Sequence, residues 1–364
     1  MSMREGTRLP LVHIEGAPFE RGRQYGRACG DLIARYPDVL AAVLEDEGQL
    51  RALSMGIRRP SRADLLASAR IFLPRLQAFA PHLVQEVRGI ADGAERPFDE
   101  VLLVNVRAEV LGLLQTLSGP VDGCTALAVG ASRTASGKPL AGQNLDQDPR
   151  NGELLIVLHV RPREGPAILM CTFAGLVGYL GLNAAGIAVF QNAVSTRTWR
   201  GDGMPHYFMK RVLLEQTSLA GCLAVLGQAQ VCSSGNYLLV DATAGELADG
   251  ELTPNGLATL CTPADDVLVH ANHFLHPDLV PHEALLPRLP DSAARLERMR
   301  VLVGGGRQVG LEPVDLHAAL RDHQGTRHRS AATSPGWQRS RRSWPSRPSA
   351  GSRWPLARRA RRSM

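Results

Sequence analysis

The chain has 364 residues and an apolar content of 44%, which suits a globular protein with a sizeable core in one large mixed domain. It contains no run of eighteen apolar residues, and its first residues lack the features of a secretory signal, so we expect no membrane partner. The formal net charge of +6 is misleading, because residues 326–364 hold eleven arginines and no Asp, Glu or Lys. Without them, 41 − 11 = 30 basic and 35 acidic side chains leave −5 for residues 1–325, so we expect no nucleic-acid partner.

Residues 10–123 have mainly helical patterning. Small and apolar residues recur at helical spacing over 18–43, and further periodic stretches cover 83–93 and 98–114. Ser61 is a candidate N-cap, since an acidic residue follows three positions later. The sequence therefore predicts a helical N-terminal segment.

From Cys124 onward the pattern changes to short strand-like runs separated by turn signals. Several runs are apolar on both faces, as in a sheet that is covered on both sides. Residues 205–229 and 292–303 again have helical patterning, so the blocks predict an α+β fold of stacked layers. The predicted strands are 125–131, 139–144, 154–160, 167–173, 177–183, 187–193, 237–242, 246–252, 257–261 and 267–273, with a hairpin turn over 183–186.

Residues 326–364 consist mostly of Arg, Ser, Pro, Ala and Gly without periodicity. A disordered basic tail and a nucleic-acid-binding tail are two interpretations. We favour a third, a reading frame lost near Gly325: the chain has 39 arginines and two lysines, as a GC-rich gene would encode, and such a gene read out of frame gives this composition.

The six cysteines are scattered and form no C-x-x-C pair, so we predict neither a disulfide framework nor a metal site. A reducing cytoplasm fits this usage best. His270 and His273 resemble a metal pair, but their spacing on a strand separates the two side chains. The cysteines are Cys29, Cys124, Cys171, Cys222, Cys232 and Cys261.

Cys124 opens a predicted strand directly after an Asp-Gly pair. A cysteine placed in this way can attack the carbonyl group ahead of it, and Gly123 lets the backbone adopt the conformation that this attack needs. Once cut free, the residue would carry a thiol nucleophile and an α-amine with an ordinary pKa of about 8 that can act as its base. On local sequence alone, a structural cysteine at a strand start is the alternative.

Six short motifs follow one another along residues 10–325: Pro18-Phe-Glu-Arg-Gly22 with Tyr25-Gly26, Arg88-Gly-Ile-Ala-x-Gly93, Asp122-Gly-Cys-Thr125, Gly142-Gln-Asn-x-Asp146, Gly181-x-Asn-x-x-Gly186 and His270-x-Asn272-His273. In this order and spacing, the chain resembles the acyl-coenzyme A:6-aminopenicillanate acyltransferase family. This family comprises the C45 peptidases, which belong to the N-terminal nucleophile hydrolases.

The resemblance implies a four-layer αββα sandwich that is made as a proenzyme. Self-cleavage between Gly123 and Cys124 would give a helical chain, 1–123, and a catalytic chain, 124–325, that stay associated. Residues 326–364 would form a tail outside the fold, and the C-terminal strands of the family would be missing.

The resemblance also implies roles for individual residues. Cys124 would be the nucleophile, Asp146 would orient the new ammonium group, and Asn272 would donate to the developing oxyanion. Asn192, at a predicted strand end, is a second candidate for contact with the oxyanion or substrate. The family's catalytic arginine, which lies just beyond residue 325, has no match here.

These observations predict a self-cleaving cysteine amidohydrolase or acyltransferase that acts on small amides or acyl thioesters. The acyl group would pass through a thioester on Cys124, with no resident cofactor and with acyl-CoA as an optional co-substrate. Specificity for a β-lactam nucleus is not expected, because Ala126 stands where the penicillin-pathway enzyme has a hydroxyl residue. An acyl-CoA-dependent N-acyltransferase and a truncated inactive relative are the alternatives.

Overall fold

The computed structural model describes residues 9–55, 61–113, 123–146, 149–260, 266–304 and 309–322. These residues form an α+β fold, as the sequence predicts. The helices are α1 (Pro18–Met55), α2 (Arg62–Arg70), α3 (Leu73–Phe79), α4 (Pro81–Gly93), α5 (Phe98–Asn105), α6 (Arg107–Leu113), α7 (His206–Leu214), α8 (Leu219–Gln228), α9 (Asp291–Gly304) and α10 (Pro313–Arg321). The strands are β1 (Leu11–Gly16), β2 (Cys124–Val129), β3 (Leu140–Leu145), β4 (Leu155–Pro162), β5 (Ile168–Phe173), β6 (Leu180–Asn183), β7 (Ile187–Asn192), β8 (Gly235–Asp241), β9 (Glu246–Thr253), β10 (Gly256–Leu260) and β11 (Val267–His270).

The strands form two sheets. The larger sheet has the order β1-β4-β5-β6-β7-β8-β9-β10, and only its β1–β4 pair is parallel. The smaller sheet has the order β11-β2-β3 and is antiparallel. Cys124 is thus the first residue of a central strand, opposite Leu145 on β3.

The two sheets pack face to face through a small apolar cluster. Ala126 and Ala128 of β2 and Leu268 of β11 contact Leu238 and Val240 of β8. The short alanine side chains let the small sheet lie close to the large one. This contact places the start of β2 over the large sheet.

Helices cover the other face of the large sheet. On β8, Tyr237 and Leu239 point away from the small sheet and share a core with Met209 and Leu213 of α7 and Leu226 of α8. Residues of α1 and α4 extend the same core. Each such fully buried Leu contributes about 2 kcal/mol relative to an exposed one.

The remaining helices cover the outer face of the small sheet. Leu127 and Val129 of β2 pack with Leu296 and Met299 of α9 and with Leu320 of α10. The order of layers is therefore helices, large sheet, small sheet and helices. This order places α9 next to the start of β2.

The glycines of the two N-terminal motifs let α1 and α4 touch through their backbones. A Cβ on Gly22 would lie 2.1 Å from Glu86 O, and one on Gly89 would lie 2.1 Å from Phe19 O. No side chain fits at such distances. These two motifs therefore serve helix packing rather than chemistry.

The segments before and after Gly123 share one core. β1 pairs with β4 across the boundary, and Glu86 of α4 forms a buried ion pair with Arg211 of α7. The side chain of Asn105 donates to Gly175 O at 2.8 Å. The N-terminal segment is thus an integral part of the fold.

Most predicted elements are present, with a few differences. Ser61 caps α2 with a full capping box. β1 and α10 were not predicted: β1 is an edge strand in which only Ile14 is buried, so its apolar alternation is faint. The predicted strand over 177–183 is shorter, and the tail 326–364 lies outside the described residues. No helix in the described ranges is long and apolar enough to cross a membrane.

Candidate active site

The peptide link between Gly123 and Cys124 is held by hydrogen bonds on both sides. The backbone N–H of Asp146 donates to Gly123 O at 2.8 Å. The N–H of Cys124 donates to Asn272 Oδ1 at 2.8 Å. Cys124 itself is 4% exposed. A donor on the carbonyl oxygen polarises that carbonyl, and an acceptor on the nitrogen fixes the orientation of the link.

Asp146 lies beside this link through its side chain as well. A Cβ built on Gly123 would be 2.8 Å from Asp146 Oδ2 and 3.7 Å from Arg295 Nη2. Contacts under 3.0 Å to a Cβ are not tolerated without movement. Glycine at position 123 therefore lets the carboxylate of Asp146 lie close to the backbone ahead of Cys124.

The side-chain amide of Asn272 is oriented differently from the sequence expectation. Its Oδ1 faces Cys124, while its Nδ2 donates to Ala193 O at 2.9 Å. In the uncut chain the amide therefore presents an acceptor to Cys124, and its donor is occupied. The predicted oxyanion role of Asn272 stays a prediction for the cut form.

Arg295 is a site residue that sequence reasoning missed. Its Nη1 donates to Cys124 O at 2.5 Å and to Thr125 Oγ1 at 2.8 Å, and its Nη2 donates to Asn272 Oδ1 at 2.8 Å. Its Nε pairs with Asp291 at 3.0 Å. The sequence does contain a signal: Arg295 lies on the buried face of the amphipathic helix α9, where an unpaired arginine would be unfavourable.

Asn192 lies at the end of β7, and its side-chain amide bonds the small sheet. Its Nδ2 donates to His270 O at 3.2 Å. His270 contacts Glu251 at 2.8 Å, whereas His273 contacts Ser292. The two histidines thus belong to separate hydrogen-bond networks. In the part of the chain that the structure describes, no group of three or more potential metal ligands occurs.

The charge of His270 is stabilised inside the fold. Burial lowers its pKa, but the nearby carboxylates of Asp249 and Glu251 outweigh this effect, so the net shift is upward. Glu251 also accepts N–H bonds from Leu275 and His276, just beyond the Asn272 loop. This network anchors the segment that carries Asn272.

A second feature that the sequence did not reveal lies on the opposite side of Cys124. Leu145, the cross-strand neighbour of Cys124, packs on a cluster that includes Tyr179 and Tyr207. The ammonium of Lys210 lies over the rings of these tyrosines, 4.5 and 4.8 Å from their centroids. The guanidinium of Arg107 lies 4.4 Å from the centroid of Tyr207. We call Arg107, Lys210 and the rings around them the cationic chamber.

The electrostatics of the chamber link it to the nucleophile. Burial, and then the positive charge of Arg107, lower the pKa of Lys210 to about 7. Cys124 and Glu109 act in the opposite direction. Lys210 is thus close enough to Cys124 for the two groups to influence each other's charge.

The chain thus combines an α+β fold with a cysteine at the start of a central strand, and hydrogen bonds hold the peptide link before that cysteine on both sides. Residues 132–333 match the family described as acyl-coenzyme A:6-aminopenicillanic acid acyl-transferase. The chain is also 30% identical over 298 residues to the acyl-coenzyme A:6-aminopenicillanic-acid-acyltransferase 40 kDa form of Emericella nidulans. That alignment covers 81% of this chain and 78% of the relative, and the chain belongs to this family.

Two other proteins are more distantly similar. The beta-alanyl-dopamine/carcinine hydrolase of Drosophila melanogaster is 24% identical over 64% of this chain and 62% of its own length. Among solved structures, the Caenorhabditis elegans N-acylethanolamine-hydrolyzing acid amidase (NAAA) ortholog matches with a TM-score of 0.43 and 15% identity, over 56% of this chain and 88% of that one. The family match begins eight residues after Cys124 (132 − 124 = 8), so the case for Cys124 rests on its motif and on the site geometry.

Proposed function

We propose that this chain is a self-cleaving N-terminal cysteine enzyme, an amidohydrolase or acyltransferase that acts on small amides or acyl thioesters. The proposal rests mainly on the two hydrogen bonds at the Gly123–Cys124 link. Asp146 N–H donates to the carbonyl of Gly123, and Asn272 Oδ1 accepts from the N–H of Cys124. Family membership supports the acyl-transfer class of this chemistry.

The first step is an acyl shift from nitrogen to sulfur. Cys124 Sγ attacks the carbonyl carbon of Gly123, and the oxyanion that forms accepts the hydrogen bond from Asp146 N–H. The C–N bond then breaks, the nitrogen takes up a proton, and Gly123 becomes a thioester of Cys124. Water hydrolyses this thioester, which leaves a carboxylate on Gly123 and a free thiol and α-amine on Cys124.

The second step is turnover of substrate. The new α-amine takes the thiol proton, and the thiolate attacks the carbonyl of an amide or thioester to give an acyl-enzyme on sulfur. The amine or thiol part of the substrate leaves with that proton. Water or an acceptor amine then removes the acyl group. Asn272 Oδ1, which already accepts from Cys124 N–H, and the nearby Asp146 carboxylate orient the new chain end.

We infer that the layers form the αββα sandwich of N-terminal nucleophile hydrolases, and that the two chains stay together after cleavage. The parallel β1–β4 pair and the buried Glu86–Arg211 ion pair support the association, because both join residues before Gly123 to residues after Cys124. Cutting the peptide bond between Gly123 and Cys124 removes none of these contacts.

A transferase that uses acyl-CoA is the second candidate, and the similarity to the Emericella nidulans acyltransferase favours it. The similarity to a Drosophila melanogaster hydrolase favours water as the acceptor. Supplying acyl-CoA with an amine acceptor separates the two. A transferase forms the new amide faster than the free acid, and a hydrolase gives mainly the acid.

Mass spectrometry of the purified protein tests the proposal. We expect the wild-type chain to be cut before Cys124, and the Cys124→Ala variant to remain intact because it has no nucleophile. Cys171→Ala, which removes a half-buried cysteine of β5, is the matched control and should cut normally. Cutting in Cys124→Ala would refute the role of Cys124. A wild-type chain that stays whole on long incubation and turns over no amide would identify an inactive relative.

A further inference from the structure

The side chain of Lys210 is almost fully buried, yet its ammonium group makes no hydrogen bond to another described residue. The residue is 3% exposed, and the ammonium lies over the faces of two tyrosine rings. Ring faces attract a cation but accept no conventional hydrogen bond. The three N–H donors of this ammonium therefore have no acceptor among the residues described, and the group is close enough to Cys124 to interact with it electrostatically.

Arg107 adds a second cation with unused donors. Its one hydrogen bond within the described ranges runs from Nη1 to Val104 O, at 3.2 Å. The rest of the guanidinium is surrounded by the rings of Tyr36, Phe173 and Tyr207. The side chain is nevertheless only half-buried, so part of it borders accessible space.

The single carboxylate beside these cations does not balance them. Glu109 Oε1 accepts from His206 N–H at 2.9 Å, whereas Oε2 has no hydrogen-bond partner in the described structure. Burial raises the pKa of Glu109. Within the described residues, two cations thus share one carboxylate in a region of low polarity, where an unbalanced positive charge is unfavourable.

We propose that Lys210 and Arg107 form a carboxylate-binding subsite beside Cys124, and that the substrates are N-acyl amino acids. The planar guanidinium matches a carboxylate through two parallel N–H bonds, and the ammonium adds a third donor. The tyrosine rings exclude water, which strengthens these bonds.

The position of the chamber limits the ligand. Leu145 connects the tyrosine cluster to Cys124 across one strand pair, so a bound anion lies near the reacting carbonyl. In an N-acyl amino acid the carboxylate is separated from the amide by one carbon. In an acyl-CoA the long pantetheine arm separates the phosphates from the thioester. The carboxylate of an amino acid therefore fits this position, and the phosphates of CoA do not.

The subsite gains its importance from the proposed chemistry of Cys124, but its ligand binding can be measured without cleavage. The test uses the full-length Cys124→Ala chain, which stays uncut. Isothermal titration at pH 6.5 compares N-acyl glycines of increasing acyl length with the matching N-acyl glycinamides, which are uncharged and nearly isosteric. We expect one or more glycines to bind about ten- to hundredfold more tightly than their amides, as for bonds to charged groups.

Further substitutions then test which residues cause the tighter binding of acyl glycines. Lys210→Met and Arg107→Gln in the same background should each remove most of it, while Lys138→Met, at the chain's other lysine, should leave it intact. Thermal melting checks that each variant is folded, and the comparison of glycine with glycinamide in Cys124→Ala alone stands even if one variant is not. Equal affinities for glycines and amides throughout the series would overturn the proposal, as would a preference that survives both substitutions.

The outcomes also separate this proposal from the proposed function. A carboxylate preference in a protein whose wild-type form never cuts itself would keep the subsite and reject the enzyme. Self-cleavage without any carboxylate preference would do the reverse. Binding of CoA or inorganic phosphate that competes with the acyl glycine would reassign the chamber to phosphate and reject the amino-acid class.

Discussion

The two sides of Cys124 differ in how their polar groups are used. On the small-sheet side, Asp146 N–H and Asn272 Oδ1 each bond the Gly123–Cys124 link at 2.8 Å, and Arg295 donates to Cys124 O at 2.5 Å and to Asn272 Oδ1 at 2.8 Å. On the large-sheet side, the side chains of Lys210 and Arg107 face aromatic rings. Within the described residues, Arg107 donates one hydrogen bond, to Val104 O, and Lys210 donates none.

The difference indicates two kinds of task. Groups whose donors and acceptors are satisfied hold a fixed geometry, which is what a reaction within the chain requires. Buried donors without acceptors are unfavourable unless something else supplies the acceptor. The first side is therefore built to position the chain itself, and the second to receive another molecule.

Arg295→Met should have the largest effect, because it removes hydrogen bonds on the small-sheet side of Cys124. The change removes charged hydrogen bonds to Cys124 O and Asn272 Oδ1, each worth about 1.5–3 kcal/mol. We expect the rate of self-cleavage, followed by gel electrophoresis, to fall by about a hundredfold or more. Because Asp291 loses its partner, the free energy of unfolding in urea should fall by about 3 kcal/mol.

The matched control for this change lies one turn further along α9. Arg298 pairs with Asp322 at a partly exposed position, so Arg298→Met should reduce stability much less than Arg295→Met. If both variants cut at the same reduced rate, the effect comes from general weakening of α9. If Arg295→Met cuts at the wild-type rate, Arg295 does not position the link.

Gly123→Ala should have the next largest effect. The new methyl group would meet Asp146 Oδ2 at 2.8 Å, so the carboxylate has to move. The shift displaces the carboxylate from its place beside the bond to be cut, so we expect self-cleavage to slow by about ten- to hundredfold. Gly227→Ala in α8 is the control, since its added Cβ meets nothing within 4 Å. Unchanged cleavage in Gly123→Ala would show that the Asp146 carboxylate can move without disturbing the Gly123–Cys124 link.

A change of pH should have the smallest effect, and it tests the role of Lys210 on the large-sheet side. Burial and Arg107 hold the pKa of Lys210 at about 7, so its charge is present below pH 7 and lost above it. In Cys124→Ala we expect an acyl glycine to bind about tenfold more weakly at pH 8 than at pH 6, following the protonated fraction. Lys210→Met should abolish this slope.

The other groups near Lys210 do not reverse that expectation. Arg107 stays charged, and burial lowers the pKa of His206 to about 4, so His206 is neutral across the range. Ionisation of Glu109 with rising pH would repel the anion and add to the trend. A binding constant that rises with pH would contradict the assignment of Lys210.

The sequence by itself determined the elements that local pattern encodes. The strand that begins at Cys124, the capping box at Ser61 and the turn before Gly186 follow from alternation, capping chemistry and glycine. The motifs also indicated the family and pointed to Gly123, Asp146 and Asn272. β1 was not predicted, because an edge strand with one buried side chain shows little periodicity in its sequence.

Only the tertiary structure decided how these groups face one another. Arg295 reaches Cys124 across 171 positions of sequence, and the Arg107 and Lys210 side chains lie over rings that come from β5, from α7 and from the segment between β5 and β6. Local propensity carries no information about such contacts, because they arise when layers stack. The orientation of the Asn272 amide has the same origin, since the acceptor at Ala193 and the donors at Cys124 and Arg295 set it together.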